Sequence, residues 1–195
     1  PTGGAAADVA GGHRSGYVAI LDWPSFDAWL AKISAAKLTA FDTETTSLDP
    51  LAARLVGISF AVASGDSAYL PLGHDYAGAP VQLPCAEALS RLAAWLASPH
   101  HAKIGQNLKY DQHVFANHGL ALAGIAHDTL LQSYVLESGK EGVRGHDLGQ
   151  LALRHLGLQT IPFEALCGKG ASQIGFNQVA VEQAAEYGAE DSDLC

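Results

Sequence analysis

Methionine is missing from this 195-residue chain, cysteine is scarce, and the 11 basic residues are outnumbered by 20 acidic ones. The lack of methionine, position 1 included, fits both a fragment of a longer chain and a processed start. Cys85, Cys167 and Cys195 are odd in number and show no C-x-x-C spacing. A disulfide framework or cysteine zinc site is therefore not expected, and reduced thiols in a cytoplasmic protein are. No apolar run approaches a membrane span, and no basic segment followed by an apolar one opens the chain as a signal peptide does. A formal charge of −9 and a pI near 5.3 argue against a module that grips long duplex nucleic acid by displacing counterions. They leave room for a nuclease, because acids that hold cations add to the formal negative charge and the cations offset it once bound. A neighbouring basic domain could also deliver the substrate.

What is present reads as globular: 48% apolar and 16% charged residues, in a chain long enough for one domain with a sizeable core. Residues 1–16, rich in Gly and Ala without a hydrophobic period, are predicted to be a flexible leader or linker, and 17–195 the domain. Short strands are expected at Tyr17–Leu21, Leu38–Thr43, Leu55–Ala63 and Ser67–Leu70, the last two joined by a Ser64-Gly65-Asp66 turn. Asp22 is placed to cap a helix burying Phe26, Trp29, Leu30 and Ile33. A second helix spans Cys85–Ala97, and Ser98-Pro99 ends it. Strand Ala102–Gly105 is followed by a helix that Asn107 caps and Gly119 stops. Strand Ile125–His127 leads to a helix opened by Asp128. Residues 138–145 form a Gly-rich loop, 147–156 a helix and 161–175 mostly irregular chain. A last helix is predicted from Asn177. Strands first, then alternating helix and strand, predict an α/β domain with a mixed sheet covered by helices.

Chemistry concentrates in two distant segments. Strand side chains alternate, so Asp42 and Glu44 share one face. The helical period sets Tyr187 and Asp191 on one side of the last helix. Each pattern alone has an ordinary structural reading: surface acids at a strand end, or a common helix face. Together, carboxylates from both segments suit hard divalent cations. A pair of these about 3.5–4 Å apart can generate hydroxide and stabilise a leaving 3′ oxygen.

The segments Phe41–Thr45, Gly105–Asp111, His127–Leu136, Phe163–Gly170 and Tyr187–Asp191, in that order, resemble the 3′→5′ proofreading exonuclease domain of bacterial DNA polymerase I. That domain belongs to the DEDD exonuclease superfamily, and the likeness covers all but the leader. It implies a ribonuclease H-like fold and a two-metal site for Mg²⁺ or Mn²⁺, with Zn²⁺ admissible at one position. Asp42, Glu44, Asp111 and Asp191 are the implied ligands. Asp42 would bridge both ions, Glu44 and Asp191 complete the site of the water-activating ion, and Asp111 hold the second through water. Tyr187 would orient the attacking water, since a phenol with an ordinary pKa of about 10 is a poor base at neutral pH. Tyr187 also assigns the chain to the tyrosine subclass, because the alternative histidine position is Glu186. Leu48 and Phe163 match positions that pack on terminal bases, and stacking of that kind suits single strands of any sequence. Gln106, Asn107 and Tyr110 match polar positions near the terminal nucleotides. The implied partners are a single-stranded or frayed 3′ DNA end and a polymerase domain in a bacterial parent chain.

Other motifs have plainer readings. The histidines at 100, 101, 113 and 118 show no ligand spacing and are assigned structural or surface roles. Gly168-Lys169-Gly170 lacks the flanking residues of a phosphate loop. Arg144 and Lys169 are as readily solvated loop charges as phosphate contacts. Two alternatives to an active DNA exonuclease remain: a catalytically silent DNA-contacting module, and an RNA-trimming enzyme of the ribonuclease D type.

Overall fold

The computed structural model describes residues 17–140 and 145–195. The stretch read as a leader and Arg144 lie outside the described residues. Strand β1 (Val18–Ala19) precedes helix α1 (Trp23–Ala35), and strands β2 (Thr39–Thr45), β3 (Leu55–Ala63) and β4 (Asp66–Pro71) follow. Helix α2 (Cys85–Ala97), strand β5 (Lys103–Gly105), helix α3 (Leu108–Asn117), strand β6 (Ile125–Asp128) and helix α4 (Thr129–Glu137) come next. Helix α5 (Leu148–Leu151) runs on as a π-helical turn (Ala152–Leu156), and short helix α6 (Phe163–Cys167) leads through two 3-10 turns to α7 (Val181–Asp193). The strands form one mixed sheet in the order β1-β4-β3-β2-β5-β6. The pairs β2/β3 and β3/β4 are antiparallel; β1/β4, β2/β5 and β5/β6 are parallel.

Side-chain alternation divides this sheet into two unlike faces. Phe41, Ile58, Phe60, Ala68 and Leu70 join Phe26, Trp29, Ile33, Leu92, Trp95 and Phe115 in the larger core, under α1, α2 and α3. Phe41 meets Trp95 edge-on at 6.3 Å, and Phe60 meets the same ring at 5.9 Å, a favoured aromatic geometry. On the other face stand Asp42 and Glu44, with Gly57 and Ser59 opposite them on β3, and Ser67 and Tyr69 on β4. Helix α7 covers this second face through Ala184, Ala185, Gly188 and Ala189. Small residues let its backbone come close: the Ser67 hydroxyl lies 2.8 Å from the Ala189 carbonyl and 2.9 Å from the Ser192 hydroxyl.

Several local readings change. Strand β1 is shorter than Tyr17–Leu21, while β2 continues two residues past Thr43 and so carries Glu44. Helix α7 starts at Val181 and not Asn177, because Phe176–Gln178 form a separate 3-10 turn. The 161–175 stretch holds α6 and a 3-10 turn. Asn107 stands at the N-cap position of α3 in the left-handed region (φ 61°), but its side chain makes no capping bond. Asp128 supplies the bonds, accepting from the Asn107 N–H at 3.1 Å and the Leu108 N–H at 2.8 Å. The same carboxylate caps its own helix α4 through the Leu131 N–H at 3.2 Å. One buried acid thus satisfies donors at two helix starts.

Asp128→Ala removes both caps at once. A loss of about 2–4 kcal/mol in urea unfolding is expected. A change below about 0.5 kcal/mol would contradict the double-cap role.

Candidate active site

Strand β2 delivers Asp42 and Glu44 from the sheet, and α7 brings Tyr187 and Asp191 down onto them. Ligand atoms of Asp42, Glu44 and Asp191 lie within 4.8 Å of one another. Asp111, in the first turn of α3, approaches from beside β2 and is buried. It stands outside that close triad, and its Oδ1 accepts the Thr43 hydroxyl at 2.6 Å. Thr43, between the two strand acids in sequence, therefore ties the fourth acid to the strand.

Crowding of carboxylates under a helix has a clear electrostatic consequence. Burial, and then Asp111, Glu44 and Asp191, hold the Asp42 carboxyl well above the usual carboxylate range. Burial followed by Asp191 and Asp111 does the same to Glu44. Burial pushes Asp111 up to about 7 against the opposing pull of its Thr43 bond. It pushes Asp191 up to about 7, helped by Glu190 and opposed by the bond from Tyr187. Glu44 Oε1 is buried without a hydrogen-bond partner. An orphaned carboxylate oxygen among like charges is costly unless a cation is present. The all-oxygen donor set suits Mg²⁺ or Mn²⁺. Among the described residues no other group of three or more acids, histidines or cysteines is drawn together in this way.

Burial, then Asp191, raises the Tyr187 phenol above its ordinary value, so it stays protonated and bonds to Asp191. Its ring is held by Phe176 at 5.8 Å and Phe163 at 6.4 Å. A cavity of about 540 Å³ opens beside it, lined by Glu44, Leu48, Tyr110, Phe163, Lys169 and Tyr187 among others. Leu48 is 94% exposed on the rim of this cavity. Tyr110 donates to the Ser47 carbonyl at 2.5 Å and also contacts the Thr45 hydroxyl, pinning the loop that carries Leu48. Gln106 is engaged at both ends of its amide, with the His146 carbonyl at 2.8 Å and the Thr129 hydroxyl at 2.5 Å. Lys169 lies 3.6 Å from Glu164 on the rim. Sequence reasoning missed Thr43, which bonds Asp111, and the buried pair in which the Tyr69 hydroxyl lies 2.8 Å from His74 Nε2. It also missed Cys195, whose Sγ donates to the Asp191 carbonyl at 3.2 Å. All three cysteines are free.

A mixed sheet with clustered carboxylates on a central strand, roofed by a helix that adds tyrosine and aspartate, defines a nuclease of the ribonuclease H-like class. Residues 17–195 match the model of the 3′-5′ exonuclease family, and the chain belongs to that family. It is 50% identical over 180 residues to DNA polymerase I of Pseudomonas aeruginosa, covering 91% of this chain and 19% of that protein. The chain thus spans about a fifth of that relative's length. The fold is similar to the EXO domain of Aedes aegypti Nibbler (TM-score 0.64, 16% identity, 92% of this chain and 86% of that one). It is also similar to Escherichia coli RNase D, an exoribonuclease involved in structured RNA processing (TM-score 0.60, 17% identity, 91% and 42%). No helix among the described residues is long and apolar enough to cross a membrane.

Raised carboxyl pKa values translate into a signed pH dependence. Between the usual carboxylate range and about 7, folded Asp111 and Asp191 keep protons that the unfolded chain has released. The folded form is then favoured by acid and loses stability as pH rises through this window. The metal-free protein is expected to melt higher at about pH 5.5 than at about pH 8, and Mg²⁺ to narrow the gap. Equal melting temperatures without metal would contradict the electrostatic account.

Proposed function

We propose that this domain is a metal-dependent 3′→5′ exonuclease that releases nucleoside 5′-monophosphates from single-stranded or frayed DNA ends. The observation that carries this reading is the approach of Asp42, Glu44 and Asp191 within 4.8 Å around an unpartnered Glu44 oxygen. Asp42, Glu44 and Asp191 would hold one divalent ion, and Asp42 with Asp111 a second, Mg²⁺ or Mn²⁺ by donor chemistry with Zn²⁺ admissible at one position. Such ions supply an activated water and charge stabilisation at phosphorus and the leaving oxygen.

The remaining functions fall to the chain's own side chains. Tyr187, kept protonated, fixes Asp191 and presents a hydroxyl that positions a water beside the scissile phosphate. Phe163 stands at the cavity wall with one face toward Phe176, and Leu48 projects at the rim, which suits stacking and wedging of unpaired bases. Tyr110 holds the Leu48 loop in place, and Gln106 and Asn107 border the terminal nucleotide. A site that grips bases from an open cleft favours single-stranded ends over duplex, in keeping with the charge of −9. Residues 17–195 form the exonuclease domain, 1–16 a linker, and the parent chain a cytoplasmic bacterial polymerase whose polymerase domain hands over mispaired ends. The high identity to a DNA polymerase I favours DNA over the RNA that RNase D-like relatives process.

Asp42→Ala removes the shared ligand. Nucleotide release from a 3′-labelled single strand should fall by about a thousandfold, and EDTA should abolish release by the parent protein. Substantial activity in either case, or RNA oligonucleotides cut faster than matched DNA, would refute the reading. Tyr187→Phe should slow turnover by only about tenfold and leave Mn²⁺ binding intact. Loss of Mn²⁺ binding in that variant would contradict a positional role for the phenol.

A further inference from the structure

Two cavities meet at Phe163. One is the cavity of about 540 Å³ beside Glu44 and Leu48. The other, of about 650 Å³, is lined by Gln159, Thr160, Ile161, Pro162, Tyr187 and Asp191 among others. Phe163, Glu164 and Tyr187 line both. The Phe163 ring is 36% exposed, stacked on Phe176 at 6.3 Å and edge-on to Tyr187 at 6.4 Å. Its neighbours support the ring, but its place along the cleft is set by the chain that delivers it.

That chain, residues 157–162, runs from the π-helical turn to α6 without helix or strand of its own. Its tether comes from α7. The Ile161 N–H donates to Glu190 Oε2 at 2.6 Å, and Glu190 is 2% exposed. A hydrogen bond to a carboxylate is about twice as strong as one between neutral groups, and burial shields it from water. Pro162 follows, its ring fixing φ (−74° here), and the residue before a proline is confined to extended backbone. Ile161–Pro162 is therefore a stiff link, and holding the Ile161 N–H holds the backbone that presents Phe163. Glu190 stands between Tyr187 and Asp191 on one helix. A carboxylate there adds to the repulsion on Asp191, which a neutral residue would relieve. Its bond to the cavity wall gives the acid a use.

We propose that Glu190 is a positioning residue for the exonuclease site: through the Ile161 N–H it fixes the wall that carries Phe163, so that this ring meets the terminal base while Tyr187 and Asp191, on the same helix, meet the phosphate. This rests on the exonuclease reading given under Proposed function. One helix then sets the distance between the point where a base is stacked and the point where the phosphodiester is cut. Glu190 itself lies outside the acids that converge within 4.8 Å.

Steady-state nucleotide release from a 3′-labelled single strand, with Mn²⁺ calorimetry alongside, tests this on the parent, Glu190→Gln, Glu190→Leu, Phe163→Ala and the double variant Glu190→Leu with Phe163→Ala. Both Glu190 variants lose the charge, but only Gln keeps an oxygen for the Ile161 N–H. Glu190→Leu should raise KM about tenfold and leave kcat within about threefold, the scale of one hydrogen bond to a charged group. Glu190→Gln should keep KM within about threefold of the parent, and the two should bind Mn²⁺ alike. Phe163→Ala should raise KM by about tenfold, the scale of one base stack, and adding Glu190→Leu to it should raise KM no further. Equal KM values for the Gln and Leu variants, a double variant in which the two effects multiply, or a Glu190→Leu that binds Mn²⁺ more weakly than Glu190→Gln overturns the inference alone. A Phe163→Ala with the parent's KM overturns the stacking role and this inference with it, and a parent that releases no nucleotide overturns the exonuclease reading and all that rests on it. If Glu190→Leu does not fold, amide hydrogen exchange decides: an Ile161 amide protected in the parent supports the tether, and one that exchanges at the unprotected rate overturns it.

Discussion

The close seating of α7 on the carboxylate face of the sheet is the constraint on which this molecule depends. Asp191 and Tyr187 reach Asp42 and Glu44 only because small residues face each other across the gap. Gly57 and Ser59 lie opposite the strand acids, and Ala184, Ala185, Gly188 and Ala189 line the helix. Glycine inside a helix costs about 1 kcal/mol relative to alanine. At Gly188 any side chain would press on Tyr69, so the position is set by proximity and not by helix propensity. Seryl bridges between Ser67, Ala189 and Ser192 then lock the separation.

That seating is electrostatically unfavourable, and the rest of the architecture holds it. Four carboxyl groups with raised pKa values share one region of low polarity. Packing on the opposite face, where Phe41, Phe60, Trp95 and Phe115 interlock, keeps β2 in register despite the repulsion beside it. Hydrogen bonds fix two of the acids: Thr43 holds Asp111, and Tyr187 holds Asp191. Asp128 is used differently: it is spent on two helix starts, which fixes where α3 presents Asp111.

Much of this was legible in the chain, and the exceptions have physical causes. Leu55–Ala63 and Cys85–Ala97 are bounded as the apolar patterns predict, since each sits between strong turn formers. Alternation along β2 placed Asp42 and Glu44 on one face, although the strand's length was underestimated because its end is polar. The joining of Asp191 to that pair was suggested by resemblance to a family and not by spacing, since nearly 150 residues separate the segments. The cap at Asn107 was misassigned because the acceptor that serves this helix start, Asp128, is 20 residues from Leu108 in sequence and adjacent only in space. Tyr69 and His74 carry no local signal at all: a tyrosine in a strand and a histidine in a loop become informative only when Gly57, Gly188 and Val179 surround them. His118, assigned a structural or surface role for want of ligand spacing, accepts the Leu55 N–H at 3.3 Å.

The central claim is that the strand acids and the helix acid were brought together to hold divalent cations. Anomalous diffraction from crystals grown with Mn²⁺ addresses it without reference to turnover. The account predicts a strong peak bounded by Asp42, Glu44 and Asp191, with Glu44 Oε1 among its ligands. Mn²⁺ peaks confined to other parts of the surface, with this carboxylate cluster empty at saturating metal, would contradict it.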